Sequence, residues 1–141
     1  MSRGLRLWVL AVLGLIVLCL GIDWASASAR LGGTEIEATL DPASVVADGK
    51  SKTVLTVRVV ENGYPRAHDL LQIWLGAGSG DLMPMWTYTG PDGTARITYT
   101  PNAASSYDLG SEAEIVVSDI SIGRLVEVSK QRRVPVPLVR P

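Results

Sequence analysis

The apolar residues of this chain fall into two regimes. From Leu7 to Ile22 they run unbroken for sixteen residues, behind Arg3 and Arg6 and ahead of Asp23. From Thr34 onward they alternate with polar ones, and helical periodicity is absent. The clearest run is Thr53 to Val60, where Leu55, Val57 and Val59 share one face while Thr56 and Arg58 share the other. Leu71, Ile73 and Leu75 alternate with Gln72 and Trp74; Ala95, Ile97 and Tyr99 with Arg96, Thr98 and Thr100; Ala113, Ile115 and Val117 with Glu112, Glu114 and Val116. Strands with one polar face pair antiparallel, because strands of a parallel sheet are covered on both sides.

Turn chemistry separates these runs. Asp48-Gly49, Asn62-Gly63, the Gly76-to-Gly80 stretch, Pro91-Asp92-Gly93 and Pro101-Asn102 supply residues that fix φ or tolerate positive φ. Further strands are expected at Glu35–Leu40, Val45–Ala47, Met85–Thr89 and Ile120–Val128. About seven or eight short strands, each with one apolar face, bury those faces most economically as two stacked sheets. The expected fold is an all-β antiparallel sandwich, with no helix after the N-terminal segment.

That segment has the charged start and apolar run of an export signal. Ala25-Ser26-Ala27 and Ala27-Ser28-Ala29 both fit the small-x-small pattern of signal peptidase, so cleavage is expected after Ala27 or Ala29. The alternative is an uncleaved single-span anchor with the arginines on the cytoplasmic side, so that any membrane contact is confined to residues 1–29. Cys19 lies inside the apolar run behind Leu18. Leu18 is too large for a lipoprotein site, and Cys19 reads as another apolar residue. The organisation expected is a signal or anchor over 1–29, a sandwich over 30–130 and an extended proline-rich tail over 131–141. In that tail Pro135, Pro137 and Pro141 alternate with apolar residues, which argues against a central strand and for a solvated end or a docking arm.

Ala47-Asp48-Gly49-Lys50-Ser51-Lys52, Leu55-Thr56-Val57-Arg58-Val59, Asn62-Gly63-Tyr64-Pro65, the glycine-rich stretch to Leu82 and Pro91-Asp92-Gly93-Thr94-Ala95 follow one another in an order that resembles the bacterial Ig-like group 1 domain, the repeat of invasins and intimins. The likeness spans roughly Ile36 to Val128. It implies an Ig-like Greek-key sandwich in an extracellular setting, working as a spacer or adhesion module without enzymatic activity. The chain departs from that family in carrying one copy rather than an array, and in having Ile73 where a Phe is common.

Composition narrows the chemistry. Thirteen Lys+Arg against fourteen Asp+Glu give a net charge of −1, with no basic excess for nucleic acid. One Cys and one His in the whole sequence, the Cys inside the N-terminal segment, leave no Cys/His zinc site, no disulfide framework and no dyad needing both in the folded part. No cofactor is expected. His68 beside Asp69 lacks a second ligand or a nucleophile and reads as a loop histidine. Asp41, Asp48, Asp81, Asp92 and Asp108 lack the spacing of a calcium loop and read as turn formers.

Contact residues are the remaining candidates. Strand parity turns Trp74 outward beside Gln72, and in an Ig-like topology the neighbouring strand turns Val116 and Glu114 the same way. A tryptophan in an apolar cluster rimmed by charge suits a protein contact, with the alternative that Trp74 is packed internally. Trp86 and Tyr88 share a face of their short strand, and Tyr64 and Tyr107 lie in loops; aromatics so placed either stack on sugar rings or pack across strands. The expected function is an exported, non-enzymatic module acting by surface contact, through a protein partner or self-assembly. A carbohydrate-binding module is the second reading.

Overall fold

The computed structural model describes residues 3–105 and 110–141. Helix α1 (Arg3–Gly33) leads directly into ten strands: β1 (Thr34–Asp41), β2 (Val45–Val46), β3 (Thr53–Glu61), β4 (Tyr64–Pro65), β5 (Leu70–Ala77), β6 (Gly80–Met83), β7 (Trp86–Tyr88), β8 (Thr94–Pro101), β9 (Glu112–Asp119) and β10 (Lys130–Val139). They form two sheets. One runs β1-β3-β8-β6 with β4 hairpinned onto β3; the other runs β2-β10-β9-β5-β7. Every pairing is antiparallel except the short parallel contact of β2 with β10. The fold is the Ig-like β-sandwich.

The alternation in the sequence is what stacks the sheets. Leu55, Val57 and Val59 of β3, with Ala95, Ile97 and Tyr99 of β8, meet Leu71 and Ile73 of β5, Ala113, Ile115 and Val117 of β9, and Val134 and Val136 of β10 in one continuous buried cluster. The intervening residues take the outer faces, as period-two geometry requires. Tyr99 is the largest side chain fully enclosed there, and its hydroxyl donates to the Ser79 carbonyl at 2.9 Å. Asn62-Gly63 makes the two-residue β3–β4 turn, with φ of 52° and 83° as a tight hairpin demands.

Two expectations are corrected at the C-terminal end. Residues 120–129 hold no strand; Ile122 is buried, and the backbone around it is shaped by Ser121 N–H on the Asp119 carboxylate at 2.9 Å. The last strand is instead the proline-rich stretch, paired with β9 from Lys130↔Asp119 through Pro137↔Glu112 and with β2 at Leu138 and Val139. Hydrogen-bond parity explains how prolines are tolerated. Leu138 N–H bonds to Ser111 O on the β9 side, whereas Val139 O accepts Ala47 N–H on the opposite side. Residues of even number therefore address β9, and Pro135 and Pro137 turn their donorless nitrogens to the other edge, which β2 covers only at its far end. The same parity sends Val134 and Val136 into the core. The sandwich thus runs to Val139, and residues 131–139 are part of it.

Because β10 closes one side of the core, deleting residues 130–141 is expected to abolish the cooperative β-sheet melt followed by far-UV circular dichroism, whereas a dispensable tail would leave it intact. Val136→Ala, which removes two buried methyl groups, is expected to cost about 1–3 kcal/mol in chemical denaturation.

Candidate contact face and buried acid cluster

The second sheet has an outer face that can be written from its register. On β5, Leu71 and Ile73 point inward, so Leu70, Gln72 and Trp74 point outward. Directly opposed residues of an antiparallel pair share a face. Tyr88 lies opposite Leu70, and Trp86 opposite Gln72. On the other flank, Gln72 faces Ser118 and Trp74 faces Val116, which in turn faces Arg133 of β10. One row of the face therefore reads Trp86, Gln72, Ser118, Gln131, and the next reads Trp74, Val116, Arg133.

This register joins residues that the sequence offered for two separate roles. Trp74 and Trp86 are diagonal neighbours on one surface, with Tyr88 two residues farther along the same edge strand. Their exposure differs. Trp86 and Tyr88 are 53% and 64% accessible, Trp74 and Gln72 are half-buried, and Val116 is 0% accessible. Val116 faces outward by parity yet offers no surface for contact. It lies in a row between two long side chains, and Gly76, at the β5 bulge, brings backbone close enough that a Cβ there would lie 2.9 Å from Val116 Cγ2. Glu114 is half-buried and held by Arg133 at 2.6 Å. The exposed apolar area of this face thus lies toward β7, at Trp86 and Tyr88.

Tyr64 stands apart, exposed on the β4 hairpin of the first sheet, near Arg30, Glu61 and Asn62. The structure does not bring it beside Trp86 and Tyr88. Tyr107 and Asp108 lie outside the described residues.

His68 is exposed, in a loop at φ 62°. Its neighbour Asp69 is buried and belongs to a cluster that sequence spacing did not announce. Arg66 grips Asp69 with Nε at 2.6 Å from Oδ2 and Nη2 at 2.9 Å from Oδ1, and also bonds Glu61, which Arg30 of α1 approaches at 3.5 Å. This hold on two carboxylates raises the Arg66 pKa above its ordinary value. Next to Asp69 sits Asp119 at the end of β9. Its Oδ1 accepts the Ser121 amide, while its Oδ2 is sealed from solvent without a donor. Burial pushes the Asp119 carboxyl up to about 6, and the negative charge of Asp69 adds to the shift. Below that pH, a proton on Asp119 turns one of its oxygens into a donor.

The exposed acids behave differently. The Asp48 carboxylate accepts the Ser51 and Lys50 amides and the Ser51 hydroxyl, which lower its pKa to about 2; the Thr94 hydroxyl and amide lower that of Asp92. Both carboxylates are occupied in shaping turns. Among the described residues, no group of three or more His, Cys, Asp or Glu is placed to hold a metal ion.

No family model matches the chain, and neither does any curated protein. Among solved structures, it is similar to the D00-D0 domain of intimin, with a TM-score of 0.59 at 19% identity over 73% of this chain. It is also similar to a C-terminal 282-residue fragment of intimin, solved in complex with the intimin-binding domain of the translocated intimin receptor, with a TM-score of 0.56 at 19% identity over 74% of this chain. The aligned regions are 46% and 33% of those chains, so this chain matches less than half of either. At this identity the likeness is one of fold, and it agrees with the Ig-like sandwich described above.

The raised Asp119 pKa carries a signed consequence. A carboxyl that holds its proton more tightly folded than unfolded stabilises the fold at low pH, and loses that contribution as pH rises from about 4 to about 6. Asp119→Asn keeps the acceptor for Ser121 and supplies a permanent donor beside Asp69. It is expected to raise Tm by several degrees at pH 8 and to leave it unchanged at pH 4, measured by thermal melts across that range.

Proposed function

We propose that this chain is an exported, non-enzymatic Ig-like module that works by contact, through the outer face at the β5–β7 edge. The single observation that carries this reading is the continuity of Trp74, Trp86 and Tyr88 across adjacent strands, two of them largely exposed. Solvent-facing aromatics grouped on one surface are costly to leave wet, and burying each against a partner is worth on the order of 2 kcal/mol. Gln72 at the centre, with the Glu114–Arg133 pair beyond Val116, supplies the polar surround of a protein contact.

The carboxylates support the non-enzymatic part of the reading, since they are committed elsewhere: Asp69 to Arg66, Asp48 and Asp92 to their turns. The apolar α1 supports export. The partner on this reading is a protein, either a second copy or a neighbour in a surface assembly. In keeping with this reading, the intimin fragment, a third of which aligns with this chain, was solved in complex with a domain of another protein.

A second reading, carbohydrate recognition, is favoured by one observation: Trp86 and Tyr88 are exposed and alternate on an edge strand, an arrangement on which sugar rings stack.

The deciding experiment places a photo-crosslinking residue at position 86, and at Arg58 on the other sheet as a control, in cells that express the chain. Adducts of one discrete protein mass are expected from position 86 and not from 58, and Trp74→Asp is expected to reduce their yield at least tenfold in a chain that keeps its cooperative β-sheet melt. Equal labelling at both positions would defeat the contact face. Saturable quenching of tryptophan fluorescence by a glycan, lost in Trp86→Ala, would favour carbohydrate instead.

A further inference from the structure

The N-terminal helix and the sandwich meet in a way that a removable leader does not require. Along α1, Asp23, Ala27 and Arg30 recur at i, i+4 and i+7, the spacing of a single helix face. Each is engaged by the domain. The Asp23 carboxylate accepts three successive backbone amides, from Arg124, Leu125 and Val126, with Oδ2 at 3.2, 2.7 and 2.9 Å. Consecutive amides converging on one anion form a concave nest that holds negative charge firmly. One turn on, Ala27 is 1% exposed, and the next turn brings Arg30 to Glu61. The helix then passes into β1 with no linker: Thr34 Oγ1 donates to Arg30 O at 2.8 Å, and Asn62 N–H donates to Gly33 O at 2.8 Å.

The rest of the helix has the opposite environment. Residues 5–22 are exposed on every side although nearly all are apolar. A helix apolar all round needs a surround that is not water. The uncharged run from Leu7 to Ile22 is sixteen residues, about 24 Å of helix, at the short end of what crosses a bilayer's hydrocarbon core. Trp8 and Trp24 stand near its two ends, where indole rings favour the membrane interface, with Arg3 and Arg6 outside the first and Asp23 at the second.

We propose that α1 is retained as a transmembrane anchor occupied by the lipid bilayer, and that the Asp23–Ala27–Arg30 face clamps the sandwich against the membrane surface in a fixed orientation. Both small-x-small motifs fall within this docked helix, and Ala27, which makes each motif fit, is small because the domain packs against it. Cleavage after Ala27 or Ala29 would remove Asp23 and leave the amides of residues 124–126 without their acceptor. The inference is independent of which face of the domain meets a partner.

The test uses the full chain, expressed in bacterial membranes and extracted with detergent. Intact mass spectrometry is expected to find the uncleaved 15.0 kDa chain. An N-terminus at Ser28 or Arg30 would overturn the proposal. In vesicles, trypsin cleavage after Arg124 is expected to accelerate at least tenfold in Asp23→Ala, while the β-sheet circular-dichroism signal persists. An unchanged cleavage rate in that variant, with the chain full length and folded, would overturn the clamp. Asp23→Glu, which keeps the carboxylate, is expected to restore most of the protection.

Discussion

The fold depends on closing two sheets over one core without covalent help. The strands contain no cysteine, so the burial of Leu55, Ile97, Leu71, Ile73, Ile115 and Val136 against one another supplies most of what holds them together. Each strand can give that core only one face. The other face, with its polar and aromatic residues, is then free to vary, and what the molecule presents to its surroundings is a by-product of how the interior was closed.

That constraint explains what was legible in advance. Period-two alternation over β3, β5, β8 and β9 identified the inward residues, because a strand's two faces are decided by parity and neighbouring strands must agree. Asn62-Gly63 marked a turn by residues that tolerate positive φ, and that turn is the β3–β4 hairpin. The C-terminal strand was hidden by a rule applied without its geometric condition: proline excludes itself from a ladder only on the side where its nitrogen would donate. Pro135 and Pro137 share a parity, and that parity looks away from β9. Ile120–Val128 had the reverse character, apolar enough for a strand but diverted by the Asp119–Ser121 turn.

The candidate site was legible in part, and for the same reason. Parity put Trp74, Gln72, Val116 and Glu114 on one face, and register then added Trp86 and Tyr88, which one-dimensional spacing had left as a separate pair. Exposure does not follow from parity, because it depends on lateral neighbours. Val116 is covered although it points outward, and Tyr64 is exposed but on the other sheet. The Arg30–Glu61–Arg66–Asp69–Asp119 cluster gave no sequence signal, since its members come from four segments, α1, the end of β3, the β4–β5 connection and the end of β9, which the fold gathers together.

The proline-bearing edge of β10 also limits how this domain can be joined to anything. A neighbouring polypeptide seeking to extend the sheet there would find two positions with no hydrogen to give, so backbone-to-backbone zippering along that margin is blocked. Recognition on that flank must therefore be read through side chains. A module of this design can crowd beside its own kind without growing into a fibre from that side.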